Sequence, residues 1–519
     1  MAVAWPVVAR AQYGLVTLPL SDPAYAQLAA LEHMGCAAAR VSVDRPYAVR
    51  LVRAALVAAE AEPACRGTIL EALNARFALR PADKGHGVRA GAALTFLGTA
   101  LHNGTFEPLW QDVRPTSAGD APGVGELHGR LTYGSADHVA IVLDGYGETS
   151  VRNDPTVSAR RLRHTSGVAD FSEAYGAARA GVFTFTLGRG QEAWLGEGSE
   201  SLVLSAKGPA YDRVAAEFHT AHFEGRAIFG SLDDVVMDSA RDSLTSTIGP
   251  QRFYRYIAGH SVTWRPSRVF EITAGETALL SRGAQTVDFY YVNPFVPYQF
   301  LQHDSGRTGD DARDNLTAFG AIRGRLGRVT ASAELLIDDI QIDAARRANT
   351  PDQLGYDLVL SAPVPAPVPV SVSAEYERLD TYTYERGFYT EVYQHYAAPL
   401  GSALGPDADY GRITGEVLPV PWLRISSDAG VWRRGVQRIT ERPGQESVGH
   451  PSLAFPSSAT GHPVETAVLL DGSVQLLNVM FPITATVQLA RIRNVNNIPT
   501  PAILYGQAQL SATYAFRYP

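Results

Sequence analysis

Two periods of hydrophobicity divide this chain. Between residues 21 and 80 apolar side chains recur at helical spacing. Ser21-Asp22-Pro23 supplies a cap and a proline at the first helical position. Tyr25, Leu28 and Leu31 follow on one face, and Gly35 ends the run. Asp44-Arg45-Pro46 opens a second helix, with Leu51, Val52, Ala55 and Leu56 together, and Pro63 precedes a third, striped by Ile69, Leu70, Leu73 and Phe77. The pattern predicts a small N-terminal three-helix module. A module of about sixty residues buries little core alone, so it is expected to dock on the rest of the chain.

From about residue 88 the period becomes two. Val139, Ile141 and Leu143 alternate with Ala140, Val142 and Asp144; Val329, Ala331, Ala333, Leu335 and Ile337 alternate with Thr330, Ser332 and Glu334. Similar runs recur to the last one, where Leu510, Ala512, Tyr514, Phe516 and Tyr518 share a face. Connections alternate in character. Gly134–Asp137, Gly324–Gly327, Pro363–Pro369, Leu418–Pro421 and Phe481-Pro482 are tight, whereas roughly 230–252, 303–315, 338–355, 379–410 and 436–465 are long and polar. Weakly alternating strands with short turns on one side and long loops on the other predict a mainly β chain, a large transmembrane antiparallel β-barrel. A propeller is disfavoured because no fixed-period repeat is found.

The opening stretch to Gln12 is apolar and holds Ala9-Arg10-Ala11, similar to a leader cleavage site, though a basic start is missing. The organisation expected is therefore a signal-peptide remnant over 1–11, a periplasmic helical module over 12–84 and an outer-membrane barrel over 85–519. No run approaches 18 consecutive apolar residues, so no membrane-spanning helix is expected. The 519 residues carry a net charge of −8, which argues against a nucleic-acid partner. Lys84 and Lys207 are the lysines; the other basic residues are arginines, the residue suited to bidentate carboxylate pairing. Two cysteines, Cys36 and Cys65, both fall in the helical region, where export permits either a disulfide or two thiols.

The densest polar and aromatic stretch is Leu187-Gly-Arg-Gly-Gln-Glu-Ala-Trp-Leu-Gly-Glu-Gly198, between Val182–Leu187 and a second strand-like piece, Leu202–Leu204. Three regions in order resemble the Wzi-type capsule-assembly outer-membrane family. They are the helical module with Asp44-Arg-Pro-Tyr47, this Gly-Arg-x-x-Glu-x-Trp-x-Gly-x-Gly run, and a downstream set. The set comprises His260 before Trp264-Arg-Pro266, Gly275-Glu276, and Tyr291-x-Asn293-Pro294. The resemblance implies about 18 strands in the cell outer membrane and a non-enzymatic, lectin-like protein that binds capsular or other surface polysaccharide. The alternative is an outer-membrane porin or transporter for a small solute or oligosaccharide. Outer-membrane lipid is the other expected partner, and the protein is expected to be a monomer without a cofactor.

Sugar recognition needs planar hydrogen-bonding groups, aromatic faces and, for acidic sugars, arginine. Arg189, Glu192, Trp194 and Glu197 supply that mixture, and an Arg–Glu network filling the lumen is the competing use of the same residues. Glu276 and Asn293 join the same candidate set. Alternation parity points Arg255 inward and His260 toward lipid. Tyr382, Tyr384, Phe388 and Tyr389 offer either a sugar-stacking surface or an interfacial aromatic girdle. His219 and His222 would face opposite sides of a strand, so no metal site is expected there. Gly259-His-Ser261 is no base–nucleophile pair for the same reason, and no catalytic residue is expected.

Overall fold

The computed structural model describes residues 13–78, 85–103, 123–135, 137–149, 168–196, 201–237, 251–299, 313–340, 352–385, 389–396, 398–439, 454–477 and 481–518. Nineteen strand segments form one sheet whose neighbours are all antiparallel. Phe223–Ser231 and Val235–Met237 both pair with Gln251–Ser267, so they are halves of one interrupted stave, and the sheet has eighteen staves. It closes on itself: His86–His102 pairs with Gly123–Ser135 on one side and with the final strand, Ile503–Tyr518, on the other. Closure removes every sheet edge, the condition for a β structure to span hydrocarbon.

The two faces explain why the alternation reads as it does. Along Ile483–Arg493, Val487 and Leu489 are 50% and 40% exposed, while Thr486, Gln488 and Ala490 between them are buried. Val431, Val468 and Leu470 repeat the pattern on neighbouring staves. Apolar residues point out and polar ones point in, the inverse of a soluble sandwich. The short connections, such as Gly181-Val182 and Gly327-Arg328, gather at one end of the barrel, called here the turn end; the long ones leave from the loop end.

Three helices stand at the turn end: α1 (Ala24–His33), α2 (Val49–Glu60) and α3 (Thr68–Phe77). Leu28, Leu31, Val52, Leu56, Ile69, Leu70, Leu73 and Phe77 make their shared core, as the helical stripes require. Two starts differ from expectation. The second helix begins at Val49, because Asp44-Arg45-Pro46 is drawn into contacts with the lumen. Pro63 sits in a single 3-10 turn before α3. Cys36 and Cys65 are bonded, across a sequence separation of 29 residues. Reducing this bond, or Cys36→Ser, is expected to remove about 3–4 kcal/mol from the helical module and leave the barrel strands intact. Limited proteolysis would then cut within residues 13–78 first; unchanged cleavage there would contradict the expectation.

The module docks on the wall through charge pairs. Arg40 binds Glu271 at 2.6 Å, Arg268 binds Glu62 at 2.9 Å, and Arg323 pairs with Glu32. Gln27 Nε2 donates to Pro421 O at 2.7 Å, and Leu418 joins the helical core. Upstream, Tyr13, Leu15 and Val16 lie against the inward residues Ala140, Val142, Tyr175 and Ala177.

Candidate functional site

The lumen is crossed by three inward segments of chain. The first is 41–48, between the helices. The second comprises 191–196, which leaves the strand Phe183–Gly190, and 201–205. The third comprises 380–385, which leaves the strand Val370–Leu379, with 389–396 and 398–407. They lie side by side through backbone bonds. Arg45 N–H donates to Ala193 O at 2.7 Å and Ala193 N–H returns to Arg45 O at 3.0 Å. Trp194 N–H reaches Leu204 O at 2.9 Å, and Ser205 N–H reaches Leu400 O at 2.7 Å. Leu202–Leu204 therefore forms no strand of its own; it makes one bridge with Trp194.

An apolar knot sits where they meet. Trp194 is 0% exposed and packs on Phe319 with ring centroids 6.0 Å apart. Gly259 lets the indole lie against the wall, since a Cβ there would stand 3.0 Å from the ring. Leu195, Leu202, Val203, Leu400 and Leu404 fill the space around it. Tyr384 and Tyr393 stack at 5.3 Å, fully buried, and their hydroxyls donate to the carbonyls of Leu202 and Val203. Burial holds both phenols above their usual pKa, so they remain neutral donors.

Buried charge surrounds the knot. Glu192 receives Arg213 at 2.5 Å and Arg226 at 2.7 Å, and Trp194 Nε1 donates to it at 3.3 Å. Glu224, on the same strand as Arg226, accepts from Val43 N–H at 3.1 Å and pairs with Arg265 at 3.3 Å. Asp44 receives Leu195 N–H and Ser261 Oγ, both at 3.4 Å. Burial, with Glu224 and Glu192 nearby, pushes its pKa up to about 7 despite the opposing pull of Arg226. Its pKa in the unfolded chain is near 3.8, so between the two the folded state holds an extra proton. Its contribution is therefore most favourable below about pH 4 and is lost as pH rises through 7. Asp44→Asn is expected to flatten the fall in melting temperature between pH 4 and 7; an unchanged slope would refute this.

The third segment is held at the loop end by Arg255, which is 1% exposed. Its Nε donates to Thr390 O at 3.0 Å, and Nη2 to Val392 O at 2.6 Å and Gln394 O at 2.8 Å. Its Nη1 meets Asp233 at 3.2 Å. Asp233 occupies the break between the two half-staves, where the interruption turns its side chain inward, as bulges do. It accepts from Tyr396 N–H at 2.9 Å and contacts His395 Nδ1 at 3.1 Å. Burial lowers the His395 pKa.

The sequence candidates thus separate. Glu192, Trp194 and Arg255 lie in the lumen, Arg255 inward as its parity required. Tyr384 is buried there and offers no free ring face; Tyr382 is nearly buried. Arg189 bonds elsewhere, with Asp170 at 3.4 Å, Asp212 at 3.8 Å and Phe171 O at 2.8 Å. Glu276 is not part of the lumen: it pairs in register with His260 on the outward face, and Asn293 lies in a segment outside the wall. The signal was present, because Glu276 shares alternation with Ile272, Ala278 and Leu280. Tyr389 begins a 3-10 turn, and its side chain, like Glu197 and Phe388, lies outside the described residues. Sequence reasoning missed Asp44, Arg213, Arg226, Asp233 and Tyr298. Among the described residues, the group close enough to share a metal is Cys36, Glu62 and Cys65, whose sulfurs are already bonded to each other.

Fold and lumen define a class: a large antiparallel barrel of the outer-membrane type whose interior is occupied by its own chain. Among solved structures it is similar to one from Escherichia coli, described as Wzi, an outer membrane protein involved in group 1 capsule assembly and a carbohydrate-binding β-barrel. The alignment has 14% identity and a TM-score of 0.61, and covers 96% of this chain and 99% of that one. At that identity the likeness establishes the fold. Pseudomonas aeruginosa OccD3 (OpdP) aligns over 83% of this chain and 92% of its own at 10% identity, with a TM-score of 0.46, too loosely to carry an argument. No protein-family model and no curated protein matches the chain.

Proposed function

We propose that this protein sits in the outer membrane and holds surface polysaccharide at the cell exterior, without catalysis and without conducting solute. The helical module then faces the periplasm and the long connections face outward. The observation that carries this reading is the occupied lumen. A porin keeps a polar path through its barrel, whereas here Trp194, Tyr384, Tyr393, Leu202 and Leu404 pack into one apolar knot across it. The likeness of fold to a carbohydrate-binding barrel adds support, as does the ordered resemblance of motifs.

Deleting the gene and measuring cell-bound against shed polysaccharide tests the reading. Loss of retention is expected, with total synthesis unchanged; equal retention would sink it. Single-channel recording separates the alternative. A steady open conductance from the purified protein would favour a transporter, and a closed barrel supports the present reading.

A further inference from the structure

Among the described residues, the outward face of the barrel is irregular beside three staves. On most staves the outward apolar residues are bare. On Gln251–Ser267, Phe270–Arg282 and Arg313–Leu326 they are bare only toward the turn end, at Val262, Trp264, Ile272 and Ile322. Above that level the outward residues Ala258, Ala278, Leu280 and Leu316 are buried, Ala278 at 0% and Leu316 at 1% exposure. The connection after Arg282 covers them. It folds back along the outside of the wall, forms a four-residue helix α4 (Phe289–Val292), and sets Tyr291 and Tyr298 against those residues. Its other side is bare and apolar: Phe289 is 79% and Phe295 91% exposed, with Val287, Tyr290 and Val292 beside them.

Glu276 fixes the depth. It lies six residues from the turn end of Phe270–Arg282. At about 3.3 Å per residue and a tilt near 40° that is about 15 Å up the wall, well inside the hydrocarbon span. A bare carboxylate at that depth is costly. Here Tyr298 N–H donates to Glu276 Oε2 at 2.5 Å, and the Tyr298 ring stands over His260 with centroids 4.6 Å apart.

Irregular backbone in hydrocarbon is tolerated only when its polar groups are satisfied internally. Six backbone N–H groups of this segment have partners within it or on Glu276. Tyr290 N–H donates to the Asp288 carboxylate, and Tyr291 N–H to Asp288 O. Asn293 N–H donates to Tyr290 O, Phe295 N–H to Asn293 Oδ1, and Val296 N–H to Asn293 O. Pro294 and Pro297 have no N–H to satisfy. The Tyr298 hydroxyl donates to Tyr291 O at 3.0 Å and the Tyr291 hydroxyl to Asp314 at 2.7 Å.

We propose that residues 287–298 form a membrane-embedded strap, whose outer side, through Phe289, Tyr290, Val292 and Phe295, contacts the acyl chains of the outer leaflet. The strap continues the apolar belt where the wall itself is covered, and Glu276 latches it by accepting from Tyr298 N–H. The inference rests on the barrel spanning a bilayer and not on what the protein binds.

The test is a nitroxide attached at Phe295→Cys, with Phe289→Cys as a second position, in the full chain in liposomes; both native cysteines are bonded. Collision with oxygen and with an aqueous nickel chelate reports depth. Val468→Cys, outward on a bare stave, is the lipid reference, and Thr460→Cys, exposed at the loop end, is the aqueous one. The oxygen-to-chelate ratio at 295 is expected to match Val468 and exceed Thr460 on the order of tenfold. A ratio equal to that at Thr460 overturns the proposal. If Val468 also reads aqueous, the membrane reading falls with it. Adding Glu276→Ala is expected to move position 295 toward the aqueous value; a label that stays at lipid depth removes Glu276 from the latch. Heat-dependent migration on gels confirms that each variant barrel folds.

Discussion

Arg255→Ala is expected to open the closed barrel to ions and lower its thermal stability. Four contacts depend on this one guanidinium: the carbonyls of Thr390, Val392 and Gln394, and the Asp233 carboxylate. Removing the cation leaves Asp233 without its buried cationic partner and takes a donor from three carbonyls, of which Val392 O keeps Gln394 N–H. Losses of this kind cost about 3–5 kcal/mol. The cost falls on a loop that closes the lumen, so that loop is released locally before the strands separate. Planar bilayer recording would show steady or flickering conductance in the variant and none in the parent. A variant as silent and as heat-stable as the parent would mean that Arg255 is not the clamp. Arg255→Lys should rescue little, because a single ammonium cannot reproduce the fork that spans three carbonyls.

Glu192→Gln is expected to destabilise the lumen knot by a comparable amount, about 3–5 kcal/mol, because two buried arginines then face a neutral group. Arg213 and Arg226 meet at this carboxylate, and Trp194 Nε1 donates to it. The midpoint of heat-induced unfolding, read from gel mobility, should fall clearly. Pairing the change with Arg226→Met should cost less than the sum of the single changes, since the two residues share one interaction. Strict additivity would show that the pair is not coupled. The two variants also probe different consequences. Glu192 lies under the knot and governs stability, while Arg255 lies above it and governs closure.

Much of the wall was legible in the sequence, residue by residue. Parity alone placed Arg255 inward and His260 outward, because adjacent side chains on a strand take opposite sides. His219 and His222 are also apart, but not by parity: His219 ends a strand and meets Glu217 and Glu224, whereas His222 lies in the turn before the next strand and meets the backbone of Arg265. Parity places Glu276 outward as well, against the motif neighbours that group it with the lumen. The helical stripes around Leu28, Leu56 and Leu73 marked the module, although the second helix starts five residues after Asp44.

The residues of the lumen resisted the same treatment. Nothing periodic in 191–205 or 380–407 says that these segments turn inward. Their aromatic and charged residues satisfy equally well a surface that meets sugar, a girdle at the membrane interface, or a buried knot. Tyr384 and Tyr393 are stacked because Leu202 and Val203 present carbonyls to them across gaps of 182 and 190 residues in sequence. The strap over Ala278 and Leu316 is a similar case.

The class of wall follows from the pattern of residues along the chain. Period-two alternation with the apolar face outward has one stable solution in a bilayer, a closed antiparallel barrel. Short and long connections told its two ends apart. What fills the barrel and what lies against it depends on packing between segments distant in the chain. Alternation is a local property, fixed by the backbone geometry of each strand. The partners of Glu192, Arg255 and Glu276 depend instead on which distant segments the closed wall brings within a few ångströms.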